Sequence, residues 1–332
     1  MKTNRVEEYD IMKVYGILLV VIGHITRMYT NKGLISSIEE STEMAFISDL
    51  LYLFHMPLFV FISGGIYYYQ YEILNKKQNF KNTLINKIKR LLIPYFAFGL
   101  LFLTPFMVLC GYRDDLLSYI FHGIILSYDC RHLWFVLMLF NTFILTYTLR
   151  KICNLFKVPE LWMIPISFCI YLLSTHFPLC LQIQATAKYQ FWFVLGYFYF
   201  CNKNLYSNIS VVSGSLALLL LTTIAVGHYN LNVPLLRTIC PFVVIILFYK
   251  CSSHSKKIVN NKLYIAISKN NFGIYLFHPI IIYVIYHYFS NLIINPYLFS
   301  ILTFFLVTTL SILFTELVRK LHLHLIIGEN AK

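Results

Sequence analysis

The chain has 332 residues, of which 58% are hydrophobic and 12% charged, with a mean hydropathy of +0.68 and a formal net charge of +13. Soluble domains are about 45–50% apolar and about 25% charged, so this balance excludes an ordinary soluble globular protein and a disordered chain. The excess of Lys and Arg has an explanation that needs no nucleic-acid partner, because cytoplasmic loops of membrane proteins collect basic residues. The eight cysteines are scattered with no CxxC pair, which excludes a zinc site and a disulfide framework. No metal is expected, and a Cys110–Cys130 bridge is the one pairing left open.

A bilayer span needs about 20 mostly apolar residues. In chain order, ten stretches are read as spans: 11–30, 46–69, 91–111, 133–150, 161–178, 189–201, 211–228, 234–250, 272–290 and 297–318. The first is flanked by Glu7, Glu8 and Asp10 and no small-residue cleavage pattern follows, so it is read as a retained helix, not a signal peptide. The apolar segment 116–127 is too short to cross and is read as a re-entrant or interfacial piece. With the N-terminus in the cytoplasm, 21 of the 27 basic residues fall on the inner side. The expectation is therefore an all-α, polytopic helix bundle of about ten transmembrane helices. Both termini are expected in the cytoplasm, with residues 1–332 forming one integral-membrane domain in contact with lipid.

The first helix carries an unusual pair. Lys13 and His24 are eleven residues apart, almost three helical turns, so both side chains share one face about 16 Å apart along the axis. An ionisable residue at the depth of His24 is costly unless it faces a cavity or a partner, which makes it a functional candidate; the alternative is a histidine that hydrogen-bonds neighbouring helices together. Arg27 lies on nearly the same face, close enough to the outer surface to snorkel.

The stretch YDIMKVYGILLVVIGH resembles the opening signature of the membrane acyltransferase-3 family, and within it the branch of fucose 4-O-acetylase-like sugar O-acetyltransferases. FHMPLFVFISGG (54–65), KIKRLLIPYF (87–96), HLWFVLMLF (132–140) and FGIYLFHPIII (272–282) are similar to its later signatures in the same order. Lys13 stands where many members have arginine, and a point charge replaces a planar fork there. The resemblance implies a multi-pass enzyme of a bacterial cytoplasmic membrane that modifies polysaccharide of the cell envelope by O-acetylation. The donor is cytoplasmic acyl-CoA, in the first place acetyl-CoA. The acceptor is a hydroxyl of a surface glycan or lipid-linked sugar.

Under this resemblance His24 is the expected catalytic general base, with an acyl-histidine as the alternative route. Lys13, Lys87 and Arg90 are the expected contacts of the donor phosphates, whereas Lys76, Lys77 and Lys81 are read as ordinary inner-side cations. Arg27, His55, Trp134 and His278 are the expected substrate-binding residues. Ser63, Gly64 and Gly65 are read as a close helix contact, and Glu316 as the i,i+3 partner of Arg319. Two competing classes stay open: a transporter or flippase for polysaccharide or lipid-linked sugar, whose path the same polar residues would line, and a haem protein ligated by His24 and His55.

Overall fold

The structure, a computed structural model, describes residues 6–31, 33, 39–74, 79–201, 234–292 and 295–330. Among them the secondary structure is helical throughout, with no strand. Among the described residues six helices are long and apolar enough to cross a membrane: α1 (Glu7–Arg27), α2 (Thr42–Ile73), α3 (Phe80–Leu109), α5 (Arg131–Leu155), α9 (Lys262–Leu292) and α10 (Pro296–Lys320). Between them lie α4 (Leu116–Ile125), α6 (Glu160–Leu172), α7 (Ile183–Cys201) and α8 (Pro234–His254). The six long helices coincide with six of the ten expected spans. The expected span 161–178 is a shorter helix, because α6 ends before Ser174 and Pro178. The expected span 189–201 starts earlier, at Ile183, and 211–228 lies outside the described residues. The short segment 116–127 is the short helix α4, as its length predicts.

The third span begins eleven residues before the apolar run, at Phe80. Lys81, Lys87, Lys89 and Arg90 are good helix formers, so the helix continues through them although the hydrophobic signal stops. Two π-helical turns, Ile88–Leu92 and Gly99–Leu103, each run into a segment with proline in its first turn, Pro94 and Pro105. A proline ring collides with the carbonyl four residues back in a regular α-helix, and a widened turn relieves that clash.

The chain divides into two compact units, one formed by Met1–Ile62 with Asn202–Thr315 and the other by Ser63–Cys201 with Glu316–Lys332. In the first unit α1 packs on α2, α8 and α9. Gly16 lies against Leu58 and Phe59, and Gly23 against Leu51 and Tyr52, so α1 and the first part of α2 run antiparallel with small residues at the seam. By contrast α9 runs parallel to α1. Asn271 Nδ2 donates to the Lys13 carbonyl at 2.8 Å, and near the other end the Tyr29 and Tyr286 rings meet edge to face at 5.7 Å. This is the relative direction that the first and ninth expected spans require. The return helix α10 packs on α9 where Gly273 accommodates Thr315.

In the second unit, the last part of α2 approaches α7 so closely that a Cβ on Gly64 would stand 2.0 Å from the Phe193 carbonyl oxygen. Here the small-residue reading of Gly64 holds in full. Beyond it, Arg150 joins three elements: it bonds Glu72 at 2.5 Å and Glu160 at 2.9 Å, while Tyr197 donates to the second Glu160 oxygen at 2.8 Å. The C-terminal segment folds back on α3. Gly328, at φ 68°, turns the chain so that Glu329 receives the Arg319 guanidinium through two bonds of 2.8 and 2.6 Å. The expected Glu316–Arg319 pair is also formed, at 2.8 Å. Cys110 and Cys130 are both free thiols.

Candidate active site

The helix α1 is unbroken from Glu7 to Arg27, so the eleven-residue spacing of Lys13 and His24 is a true axial separation of about 16 Å. Lys13 is half-buried, and its ammonium pairs with Asp10 at 2.5 Å, one turn back. Its charge is thus shared within an ion pair, which the i,i+3 spacing already displays in the sequence.

At the other end of α1 the structure gathers residues that are far apart in sequence. The half-buried ring of His24 meets His278 of α9 edge to face, with centroids 5.0 Å apart at 73°. On its other side stands Tyr52 of α2, whose hydroxyl lies 3.4 Å from His24 Nδ1. The Tyr52 ring in turn meets His55 at 4.7 Å and 88°, and the Arg27 guanidinium covers its face at 4.2 Å. Four expected site residues, His24, Arg27, His55 and His278, thus form one cluster in the first unit. Tyr52 completes it and was missed. As one of 26 tyrosines it carries no local signal, and only its place one turn before His55 in FHMP could have pointed to it.

The two buried histidines are set in the same way. His55 Nδ1 lies 2.5 Å from the Leu51 carbonyl and His278 Nδ1 lies 2.8 Å from that of Ile274, in each case four residues back on the same helix. A carbonyl only accepts, so Nδ1 carries the hydrogen in both rings and Nε2 is the basic nitrogen. Proline follows closely in both helices, at Pro57 and Pro279, and each removes one backbone donor from its helix. Among the described residues no group of three His, Cys, Asp or Glu side chains is arranged to hold a metal ion.

The remaining expected residues belong to the second unit. Lys87 is half-buried, with its ammonium 3.2 Å above the Phe143 ring centre, a cation–π contact. Arg90 is exposed on the first π-helical turn of α3. Trp134 opens α5, half-buried, with its ring 5.4 Å from that of Tyr189. The backbone beside it is strained: Ser127, Arg131, Leu181 and Gln182 are non-glycine residues at φ of 58°, 48°, 53° and 58°. Cross-bonds hold this knot, with Leu181 N–H donating to the Leu126 carbonyl at 2.8 Å and Gln182 Nε2 to that of Ser127 at 2.7 Å.

A helical membrane protein with a His–Tyr–His cluster at one end of its first helix and a basic entry to its third is the class these features define. Residues 6–316 match the acyltransferase-3 family, described as an acyltransferase domain, and the chain belongs to that family. No curated protein and no solved structure matches the chain.

Proposed function

We propose that the protein is an integral-membrane O-acyltransferase that moves an acyl group, in the first place acetyl, from cytoplasmic acyl-CoA to a sugar hydroxyl of a cell-envelope glycan or lipid-linked sugar. The observation that carries this reading is the placement of His24. It stands about three turns from Lys13 on one helix and amid the Tyr52, His55, His278 and Arg27 side chains, in a chain of an acyltransferase family.

His24 acts as the general base. It removes the proton from the acceptor hydroxyl as that oxygen attacks the thioester carbonyl. The new C–O bond forms, the C–S bond breaks, and the departing CoA thiolate takes the proton back from the imidazolium. Within the first unit Lys13 is assigned to the donor's phosphates, and Arg27, His55 and His278 to the acceptor. Lys13 releases part of its pairing with Asp10 when it meets a phosphate, so its share of donor affinity is smaller than that of a free cation.

The test is transfer of labelled acetyl from acetyl-CoA into envelope glycan by membranes that hold equal amounts of each variant. His24→Ala should lower the rate by about 10²- to 10⁴-fold, the usual worth of a general base. Lys13→Ala should raise the KM for acetyl-CoA by up to about tenfold, the worth of one charge-assisted hydrogen bond. Full activity in His24→Ala removes the base from the reading. Glycan movement without any acyl donor would move the protein to the transporter class.

A further inference from the structure

A neutral imidazole has one N–H, and the partner of one nitrogen decides which nitrogen is left to take up a proton. His55 and His278 have that choice made by carbonyls of their own helices. Beside His24, the Tyr52 hydroxyl lies 3.4 Å from Nδ1. A phenol oxygen both donates and accepts. If Tyr52 donated to Nδ1, the Nε2 nitrogen would keep its hydrogen and could not act as a base. If Tyr52 accepts from Nδ1–H, Nε2 holds the lone pair.

Two contacts hold the Tyr52 ring in place. Arg27 covers one face at 4.2 Å, and His55 meets the ring edge to face at 4.7 Å. Along the α1 seam Gly23 leaves room beside the ring, where even an added Cβ would lie 3.5 Å from Tyr52 Cε2. The phenol is thus held beside the half-buried His24 ring. A separation of 3.4 Å is long for a finished hydrogen bond, and such bonds commonly tighten when the substrate binds.

We propose that Tyr52 is the positioning residue of His24: its phenol oxygen accepts the Nδ1–H and turns Nε2 toward the acceptor hydroxyl. The proposal rests on the reading of His24 as the base, and it supplies the orienting group that the sequence could not name.

Tyr52→Phe removes the oxygen and keeps the ring contacts with Arg27 and His55. In labelled acetyl transfer it should lower kcat about 10- to 100-fold while the KM for acetyl-CoA changes by less than about twofold. A purely structural role would instead lower the amount of folded protein and leave the kcat of the remainder unchanged. The second readout is solid-state NMR of the full protein in bilayers with ¹⁵N-labelled histidine, the His24 signals being assigned by their loss in His24→Ala. Intact protein should show His24 protonated at Nδ1 and bare at Nε2, and Tyr52→Phe should lose that preference. An unchanged kcat in Tyr52→Phe, or a His24 hydrogen on Nε2 in the intact protein, overturns the proposal. If His24→Ala stays active, the base reading fails instead, and the NMR readout still decides the Tyr52–His24 contact.

Discussion

Replacing Gly64 with alanine tests the close approach of α2 and α7 in the second unit. The added Cβ would lie 2.0 Å from the Phe193 carbonyl oxygen, 2.9 Å from its carbon and 3.0 Å from the Tyr197 nitrogen. Ordinary contact begins near 3.4 Å, so α2 and α7 must part by about 1.4 Å at this point. All three opposing atoms are backbone, so no rotamer change can relieve the clash. Overpacking of this kind costs about 1–3 kcal/mol, and the immobility of the partner places this site at the top of that range. Alanine regains about 1 kcal/mol of helix propensity over glycine, which leaves a net loss of about 2 kcal/mol. At about 2–4 °C per kcal/mol, Tm should fall by about 4–8 °C. The assay is thermal unfolding of purified protein in one detergent, with Gly23→Ala as the control. There the nearest atom to the new Cβ is 3.5 Å away, and Tm should hold or rise slightly. If Gly64→Ala unfolds within about 1 °C of the intact protein, the reasoning from backbone approach to stability is refuted.

Two further outcomes follow from the second unit. Arg150→Met should destabilise the protein by about 1–3 kcal/mol, less than the full cost of breaking a buried pair, since Glu160 and Glu72 are 26% and 40% exposed; thermal unfolding would show it, and a neutral result would mean that these carboxylates are solvated without Arg150. Burial pushes the Cys130 thiol up to about 12, so almost no thiolate exists at neutral or mildly alkaline pH. Cys130 should therefore resist maleimide from pH 7 to 9 in the folded protein, while the exposed Cys251, at the polar end of α8, reacts; mass spectrometry of the labelled peptides would reveal early modification of Cys130 as a contradiction.

The sequence by itself determined the class of this protein. Whether a segment crosses a bilayer depends on about 20 neighbouring residues, and a local property can be read locally. The same holds for the spacing of Lys13 and His24, because the geometry of a helix is the same everywhere. Short-range pairs belong here too. Glu316–Arg319 was read correctly, and Lys13–Asp10 could have been. Helix ends were less legible. The charged start of α3 hides a helix that hydrophobicity does not mark, and α6 stops earlier than its apolar composition suggests. Only the tertiary structure decided what surrounds His24. Tyr52 is 28 residues from it, and His278 is hundreds of residues away, beyond several helices. Their meeting depends on Gly16 and Gly23 letting α2 close on α1, and on α9 lying parallel beside it. The fold-back of Glu329 onto Arg319 is of the same kind, because it needs the turn at Gly328. Contacts between helices are set by packing over the whole unit, and no helix-length window of sequence holds His24 together with Tyr52 or His278.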